Sequence, residues 1–322
     1  MGYLRGSDRD ISYLKETVAG EVEDATYALG VITVPTTEAF QLMRTTGDSF
    51  NLTRDTFESG ELRSDRGVVD LKSGNKQSSG SVDFELSYAN FDAMIEAVLE
   101  TADTFAAVGS VITNGKLMIP YSFEKGFVAG AHYQIYTGMY ANTLSLNLAA
   151  NSQVTGSIEF IGMNQEVRGS SASSVAKTEP TPGGLFDSYT GEIKEGGVTI
   201  GDITSLTLSV SNNLSPTFVL MNDSVKEVID GRCMVEGTVS AYFANADLYN
   251  KFVTDVDSSI QFTLKDSAEP THGYTFTLSK IKYTGADMPV SDEGPVTISM
   301  PFKALQDGTN GTIKIAKLPA VT

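Results

Sequence analysis

The chain has no tryptophan, a single cysteine and two histidines, and each of these low counts argues against particular functions. Because Cys233 is alone, no disulfide can form within the chain, and 322 residues are enough to build hydrophobic cores without one. No apolar run approaches the ~18 residues of a membrane span, and the start MGYLRGSDRD is too polar for a signal peptide. We therefore expect a soluble protein made in the cytoplasm, with no membrane partner.

Patterns that would carry catalysis are also missing. Neither His132 nor His272 has cysteine or carboxylate neighbours at a metal-ligand spacing, and no phosphate-binding or dinucleotide-binding glycine loop is found. Asp255 and Asp257 lack the glycine and bidentate glutamate of a calcium loop, so a solvated turn is the better interpretation. No nucleophile, base and orienting group can be named together. We expect no catalytic residue, no metal and no cofactor, and hence no enzyme.

Positive charge is scarce. The chain has 40 acidic and 23 basic residues, which gives a net charge of −17. Binding to nucleic acid needs lysine and arginine to displace counterions from phosphates, so this chain should repel DNA. Solubility alone is the other explanation of the acidity.

What the sequence does contain is a repeat. Strand-like and helix-like segments of the first half align with segments of the second half, in the same order along the chain. The aligned pairs are SFNLTRDTFESG from Ser49 with SLTLSVSNNLSP from Ser205, GSVDFELSYANFDAMIEAV from Gly80 with GTVSAYFANADLYNKFV from Gly237, HYQIYTG from His132 with GYTFTLS from Gly273, and VTGSIEFIGM from Val154 with PVTISMPFKA from Pro295. This predicts a mainly β fold of two tandem domains.

Residues 81–86 alternate apolar and polar side chains, which predicts a strand with one face in the core and one in water. Asp83 and Glu85 fall on the polar face of this strand, and Glu159 falls on the polar face of a similar strand over 156–161.

Two helices interrupt the β pattern, one opening at Asn90 as N-cap and one at Asn245. Both carry an apolar stripe at helical spacing, and we expect each helix to lie across the outside of its own β domain. The stripe residues that we expect in the core are Phe91, Ile95 and Val98 in the first helix, and Leu248 and Phe252 in the second.

Composition divides the chain further. Residues 1–35 indicate an N-terminal arm, 36–163 the first domain, 164–197 a linker or insertion rich in Ser, Thr, Pro and Gly, and 198–322 the second domain with a C-terminal strand. Residues 55–79 form a polar stretch between two strands that is long for a hairpin loop, and such loops are usually functional or disordered.

A family resemblance rests on particular segments of the first half. ISYLKETV from Ile11, ESGELRSDR from Glu58 and GSVDFELSYANFD from Gly80 resemble the tail tube proteins of bacteriophages with long, non-contractile tails. The resemblance runs from Ile11 to Met163 and weakens in the second copy. It implies β-barrel or β-sandwich domains, each with a flanking α-helix, assembled into rings that stack into a hollow tube.

The resemblance also implies a function and partners. Members with one domain form hexameric rings, so a chain with two domains would form a homotrimer. Its partners would be other copies of itself, the tape-measure protein and double-stranded DNA that pass through the lumen without specific binding, and the tail terminator and baseplate or tip proteins. The protein would be a structural part of the virion.

Within such a tube, particular residues are expected in particular places. Carboxylates facing the lumen would keep DNA from adhering, and residues 55–79 and 1–35 would be mobile in the free subunit and ordered between rings. The candidates for the lumen are Asp83, Glu85 and Glu159, and those for the contact between rings are Glu61, Arg63, Asp65 and Arg66.

Two other functions are compatible with a tandem β chain. A secreted or pilus-type adhesion module would normally carry a secretion signal, which is not visible here. A β-rich carbohydrate-active enzyme would normally expose tryptophan for sugar stacking, and the chain has none.

Overall fold

The computed structural model describes residues 6–16, 39–62, 65, 67–101, 105, 107–127, 131–243, 247–269, 271–289, 293–308 and 310–318. Within these ranges the chain is mainly β, as predicted, with twenty strands, one short 3-10 helix at Gly6–Asp8 and two α-helices. The helices are α1 (Asp92–Leu99) and α2 (Asp247–Val253).

The strands fall into two sets that follow one another along the chain. The first set is β1 (Arg9–Lys15), β2 (Gln41–Leu42), β3 (Gly47–Asp48), β4 (Asn51–Glu58), β5 (Leu71–Glu85), β6 (Val111–Thr113), β7 (Tyr121–Phe127), β8 (His132–Ala149), β9 (Thr155–Gly162) and β10 (Asn164–Arg168). The second set is β11 (Phe186–Glu195), β12 (Val198–Thr199), β13 (Ile203–Ser211), β14 (Ser215–Thr217), β15 (Glu227–Ile229), β16 (Met234–Tyr242), β17 (Ser258–Asp266), β18 (Gly273–Tyr283), β19 (Thr297–Ala304) and β20 (Lys314–Lys317).

Both sets pair their strands in the same antiparallel order. The first set runs β1, β7, β8, β9, β5, β4, and the second runs β11, β17, β18, β19, β16, β13. A further strand lies beside the long strand of each set, β10 beside β8 and β20 beside β18. The segments that align in sequence are therefore strands at matching places in the pairing order.

The long strands β8 and β18 pass from one sheet into another. Residues 132–139 of β8 pair with β7 and β10, whereas residues 140–149 pair with β9 and β13. The result is one central sheet in the order β4, β5, β9, β8, β13, β16, β19, flanked by two side sheets built around β7 and β17. Among the described residues this run does not close on itself, so β4 and β19 lie at opposite ends of the central sheet.

The two sets meet where β13 pairs with β8. Leu208 lies opposite Leu146 and Val210 opposite Leu144, and all four side chains are buried. Burial of an aliphatic side chain of this size stabilises a fold by about 1.5–3 kcal/mol. A single hydrophobic core therefore continues through both sets.

The first helix differs from its prediction at its start. Its N-cap is Phe91 and not Asn90, and no side chain caps it. The Asn90 Nδ2 donates instead to Ser87 Oγ at 2.9 Å, so its amide is already used in the preceding turn. Asn245 lies outside the described residues.

The position of α1 also differs from the prediction. The predicted core residues Phe91, Ile95 and Val98 are buried, and the helix packs on β6 and β8 of its own set. The second set, however, covers its other side, so that even the acidic Asp92 is buried. The Asn212 Nδ2 of the second set donates to the backbone oxygen of Val98 at 2.8 Å. The helix therefore packs between the two sets, and its apolar stripe could not by itself show which surface covers it.

The buried Asp92 ties the helix to the second set. Tyr274 OH donates to Asp92 Oδ1 at 2.5 Å, and the Lys317 Nζ lies 2.5 Å from Asp92 Oδ2. Burial and the Asp92 charge raise the pKa of Tyr274 well above its usual range, so its hydroxyl stays a donor. In α2, the described side chains Leu248 and Phe252 are partly buried and pack against the same core.

Three segments that were predicted to lie outside the β structure contain strands. Residues 9–15 of the expected arm form β1, which pairs with β7 along its whole length, while 17–38 are outside the described residues. The expected linker contains β10 and β11, each part of a side sheet. The expected loop 55–79 is mostly a β4–β5 hairpin. Its strands are polar on both faces because both faces are solvated, so the alternation that marks a strand is absent.

Candidate functional site: the polar face of the central sheet

One face of the central sheet carries polar side chains from successive strands. The cross-strand register sets these side chains in rows that cross the boundary between the two sets, because neighbouring residues in register point to the same face. One row is Asp83, Ser157, Ser145, Ser209, Glu236 and Lys303, the next is Glu85, Thr155, Asn147, Thr207 and Thr238, and a third is Ser81, Glu159, Thr143 and Ser211. We call this surface the polar face. The three lumen candidates Asp83, Glu85 and Glu159 all lie on it.

The opposite face of the same strands is the hydrophobic core. Its middle row is Phe84, Gly156, Leu146, Leu208, Gly237 and Phe302. A Cβ on Gly156 would stand 2.8 Å from the backbone oxygen of Ser145, and one on Gly237 would stand 2.2 Å from that of Thr207. The two glycines thus let large neighbours such as Phe84 and Phe302 lie close against the backbone.

The polar face is concave. A depression of about 750 Å³ is lined by residues from every strand between β5 and β19, among them Asp83, Ser145, Ser209, Glu236 and Lys303. Since the lining spans six adjacent strands, the sheet curves around this side. A curved sheet with a wet concave face is suited to forming part of the wall of a wide channel.

Carboxylates outnumber amines on this face. Lys303 lies 2.5 Å from Glu236, and its neighbour Lys282 lies 2.7 Å from Asp255. Within the described ranges, Asp83, Glu85 and Glu159 take part in none of the ion pairs. The amines here already have carboxylate partners, so the face offers few cations to a phosphate backbone.

The candidates for a contact between rings lie beyond the ends of strands β4 and β5, in the connection that joins them. Glu61 and Asp65 are exposed in the connection between β4 and β5, residues 59–70, which we call the hairpin tip. Arg63 and Arg66 lie outside the described residues. The described part of the tip is also apolar, with Leu62 fully exposed and Val68 65% exposed. The residues predicted here were charged, and these apolar side chains were not among them, although their apolar character is visible in the sequence.

A second exposed tip lies at the matching place in the second set. The connection from β13 to β16 carries the small β14–β15 hairpin, residues 215–229, which we call the insertion tip. Leu220 is 92% exposed, and Met221 is fully exposed. The insertion tip touches the strands of the β4–β5 hairpin, because Lys76 N–H donates to the Asp223 backbone oxygen at 2.7 Å and Arg54 lies 3.1 Å from the Asp223 carboxylate.

Groups with other chemistry are few in the described part of the chain. No cluster of three or more His, Cys, Asp or Glu side chains there could hold a metal ion. His272 stacks on the ring of Tyr88 with 4.3 Å between ring centroids, which is a packing role. No described helix has the length and apolar character needed to span a bilayer.

Comparison with known proteins agrees with the geometry. A search of curated proteins finds no match to the chain. A family model described as phage tail tube protein matches residues 6–304, which is nearly the whole chain and includes strands β1 to β19. This family is neither of adhesion modules nor of carbohydrate-active enzymes, and its members are parts of the virion. The chain belongs to the phage tail tube protein family.

Proposed function

We propose that the chain is the repeating subunit of a phage tail tube whose lumen is lined by the polar face. One observation carries this proposal: a concave row of polar side chains runs without interruption from β5 to β19, across both strand sets, with the core behind it. A subunit that supplies one curved wall segment must be completed by other copies, since an isolated open edge invites uncontrolled pairing.

The ring is a homotrimer with pseudo-hexameric symmetry. The two sets share one order of strand pairing, so three chains supply six equivalent places around a closed ring. We assign the first domain to residues 9–168 and the second to 186–317, which moves β10 and β11 out of the linker and into the domains that they pair with.

The lumen is acidic and conducts the genome. Asp83, Glu85 and Glu159 face the duplex, and the amines Lys282 and Lys303 are held by carboxylates. Every phosphate contact on the wall would have to be broken as DNA moves, so a surface with few available cations keeps the duplex moving. The tape-measure protein occupies the same channel before DNA enters.

The two tips make the contacts along the tube. They lie beyond matching ends of the strand pairs β4–β5 and β13–β16, and they expose apolar side chains such as Leu62 and Leu220. Apolar surface of this kind on a subunit is a site of association with the next ring. The same end of the last ring meets terminator or tip proteins.

Charge reversal on the polar face tests the proposal. We expect the variant Asp83→Lys with Glu159→Lys to assemble tubes of normal length and to slow DNA release from purified phage, because lysines there would bind phosphate. The matched control is Glu192→Lys with Glu269→Lys, an equal change of charge at exposed positions in and beside the side sheet built around β17. Equal DNA release from both variants and the wild type would remove the proposed role of the polar face.

A further inference from the structure

We propose that neighbouring chains join edge to edge, with β4 of one chain pairing with residues 284–289 of the next in the register that β13 and β8 adopt within one chain. This inference rests on the proposed function and specifies the contact by which the ring closes. The partner is a second copy of this chain.

The joint within the chain is the template. β13 and β8 are antiparallel neighbours with Ser209 opposite Ser145, Val210 opposite Leu144 and Leu208 opposite Leu146. The apolar members are nearly inaccessible, with Val210 at 0% and Leu146 at 3% exposure. The joint therefore combines a backbone ladder with a continuous apolar row beneath it.

The place of β13 in the second set is taken by β4 in the first. Gly80 of β5 lies opposite Phe160, and Gly237 of β16 lies opposite Phe302, so the two glycines mark one equivalent position. Ser79, which precedes Gly80, pairs with Asn51, and Glu236, which precedes Gly237, pairs with Ser209. Asn51 thus corresponds to Ser209, and Leu52 corresponds to Val210.

The place of β8 in the joint is taken by residues 284–289. Phe160 pairs with Ala141, and Phe302 pairs with Tyr283. After Ala141 and after Tyr283 the chain contains one residue more than the strand opposite, which shifts the pairing by one in both sets. Beyond it, Ser157 pairs with Ser145, and Ser299 pairs with Asp287. The corresponding residues are therefore Asp287 for Ser145, Ala286 for Leu144 and Met288 for Leu146.

Both edges have backbone groups that point outward. Asp287 and Ser299 exchange two hydrogen bonds, of 2.9 and 2.8 Å, so the groups of Ala286 and Met288 point away from β19. Ser49 N–H donates to the backbone oxygen of Ser81 at 2.9 Å, so the backbone groups of Ser49, and of Asn51 two residues on, point toward β5. Those of Leu52, the next residue, therefore point away from β5.

Side-chain burial marks the same two edges. Leu52 and Met288 are each 37% exposed, although the residues that correspond to them, Val210 and Leu146, are buried. The two apolar side chains are core positions that lack only the neighbouring strand. The edges lie at opposite ends of the central sheet, so one chain cannot join them, whereas a head-to-tail contact repeated by rotation closes a ring. The expected pairs are Phe50 with Met288, Asn51 with Asp287, Leu52 with Ala286 and Thr53 with Gly285.

Disulfide trapping tests this register. Asn51 and Asp287 form a pair without mutual hydrogen bonds, whose Cα atoms are about 4.5 Å apart in antiparallel sheets, within the range that a disulfide spans. The variant Asn51→Cys with Asp287→Cys is made with Cys233→Ser, assembled into tubes and oxidised. A slipped pair, Thr53→Cys with Asp287→Cys, is the register control. Ser145→Cys with Ser209→Cys traps the corresponding pair within one chain and is the geometric control.

We expect covalent trimers from the matched pair, loss of most of this product from the slipped pair, and cross-linked monomers from the geometric control. Tubes that form without the trimer band, while the geometric control oxidises, overturn the joint and leave the proposed function intact. Wild-type protein that forms neither rings nor tubes under electron microscopy overturns the proposed function as well.

Hydrogen exchange on the wild type supplies a test that no substitution can disturb. We expect the amides of Leu52 and Met288 to become protected on assembly, whereas that of Leu208 is protected before and after. Unchanged exchange at Leu52 and Met288 in assembled tubes contradicts the joint.

Discussion

The two strand sets share an order of pairing and differ in what covers their edges. In the second set β13 is covered by β8 of the same chain, and in the first set β4 has one paired edge and eight exposed residues. The difference shows what joining two copies in one chain achieves. One of the two kinds of contact is made within the fold, and in the proposed ring the other would be made with the next copy.

The two helices also differ in how far the rest of the chain covers them. α1 is buried between the sets and anchored by Asp92, whereas Leu248 and Phe252 of α2 are only partly buried. The two helices, whose segments align in sequence, therefore differ in the surface that covers each of them.

The largest effect is expected where the sets are tied together. Lys317→Met would leave the Asp92 carboxylate buried without its ammonium partner, and breaking a buried ion pair costs about 3–5 kcal/mol of unfolding free energy. The control Lys303→Met removes a half-exposed partner of Glu236 and should cost about 0–1 kcal/mol. Urea unfolding of both free subunits measures the difference, and equal losses would show that Asp92 does not tie the sets.

The covered and uncovered edges should respond differently to truncation. Leu208→Ala removes a buried side chain of the β13–β8 joint and should destabilise the free subunit by about 2–5 kcal/mol. Leu52→Ala should leave the stability of the free subunit nearly unchanged and raise the protein concentration needed for assembly. The comparison breaks if Leu52→Ala unfolds the subunit or assembles like the wild type.

The two equivalent glycines, Gly80 and Gly237, should respond alike to substitution by alanine. A Cβ at Gly80 would lie 2.5 Å from the Phe50 Cα, and one at Gly237 would lie 2.2 Å from the Thr207 oxygen. Gly80→Ala and Gly237→Ala should each cost about 1–3 kcal/mol of unfolding free energy, because the backbone must shift. Gly60→Ala has open space and should change little. A loss at only one of the two glycines would show that they are not equivalent.

The smallest effect concerns pH. Burial, and then the charge of Asp230 from the second set, raise the pKa of Glu100 to about 7 from its ordinary 4.5. The folded state therefore keeps the proton longer, and the stability that this gives is present below pH 4.5 and lost as pH rises through 7. We expect Glu100→Gln to raise the melting temperature relative to the wild type at pH 8 more than at pH 5. The exposed control Glu269→Gln should show no such trend, and a gain independent of pH would contradict the assignment.

Much of the central sheet could be predicted from sequence because its strands have one wet face and one buried face. The alternation around Phe84 placed Asp83 and Glu85 on the polar side, and the order of the repeat follows the order of pairing. The alignment of Val154 with Pro295 is off by one residue, since it sets Phe160 over Pro301 where the pairing makes Phe302 its counterpart. A slip of one residue exchanges the two faces, and only cross-strand register resolves it.

Other features could not be predicted because their signal is not local. Glu236 and Lys303 belong to the polar face through register with β13 and β8, which the sequence of either strand does not contain. β4 and the first residues of β5, 71–73, are exposed on both faces, so their residues resemble a loop. The surface that covers α1 comes from strands far along the chain.

Electron cryo-microscopy of assembled tubes tests the central claim most directly. We predict rings of three chains with pseudo-sixfold order, the polar face with Asp83, Glu85 and Glu159 lining the lumen, and β4 of each chain beside residues 284–289 of the next. Rings of six full-length chains, or tubes with this face turned outward, would contradict the account.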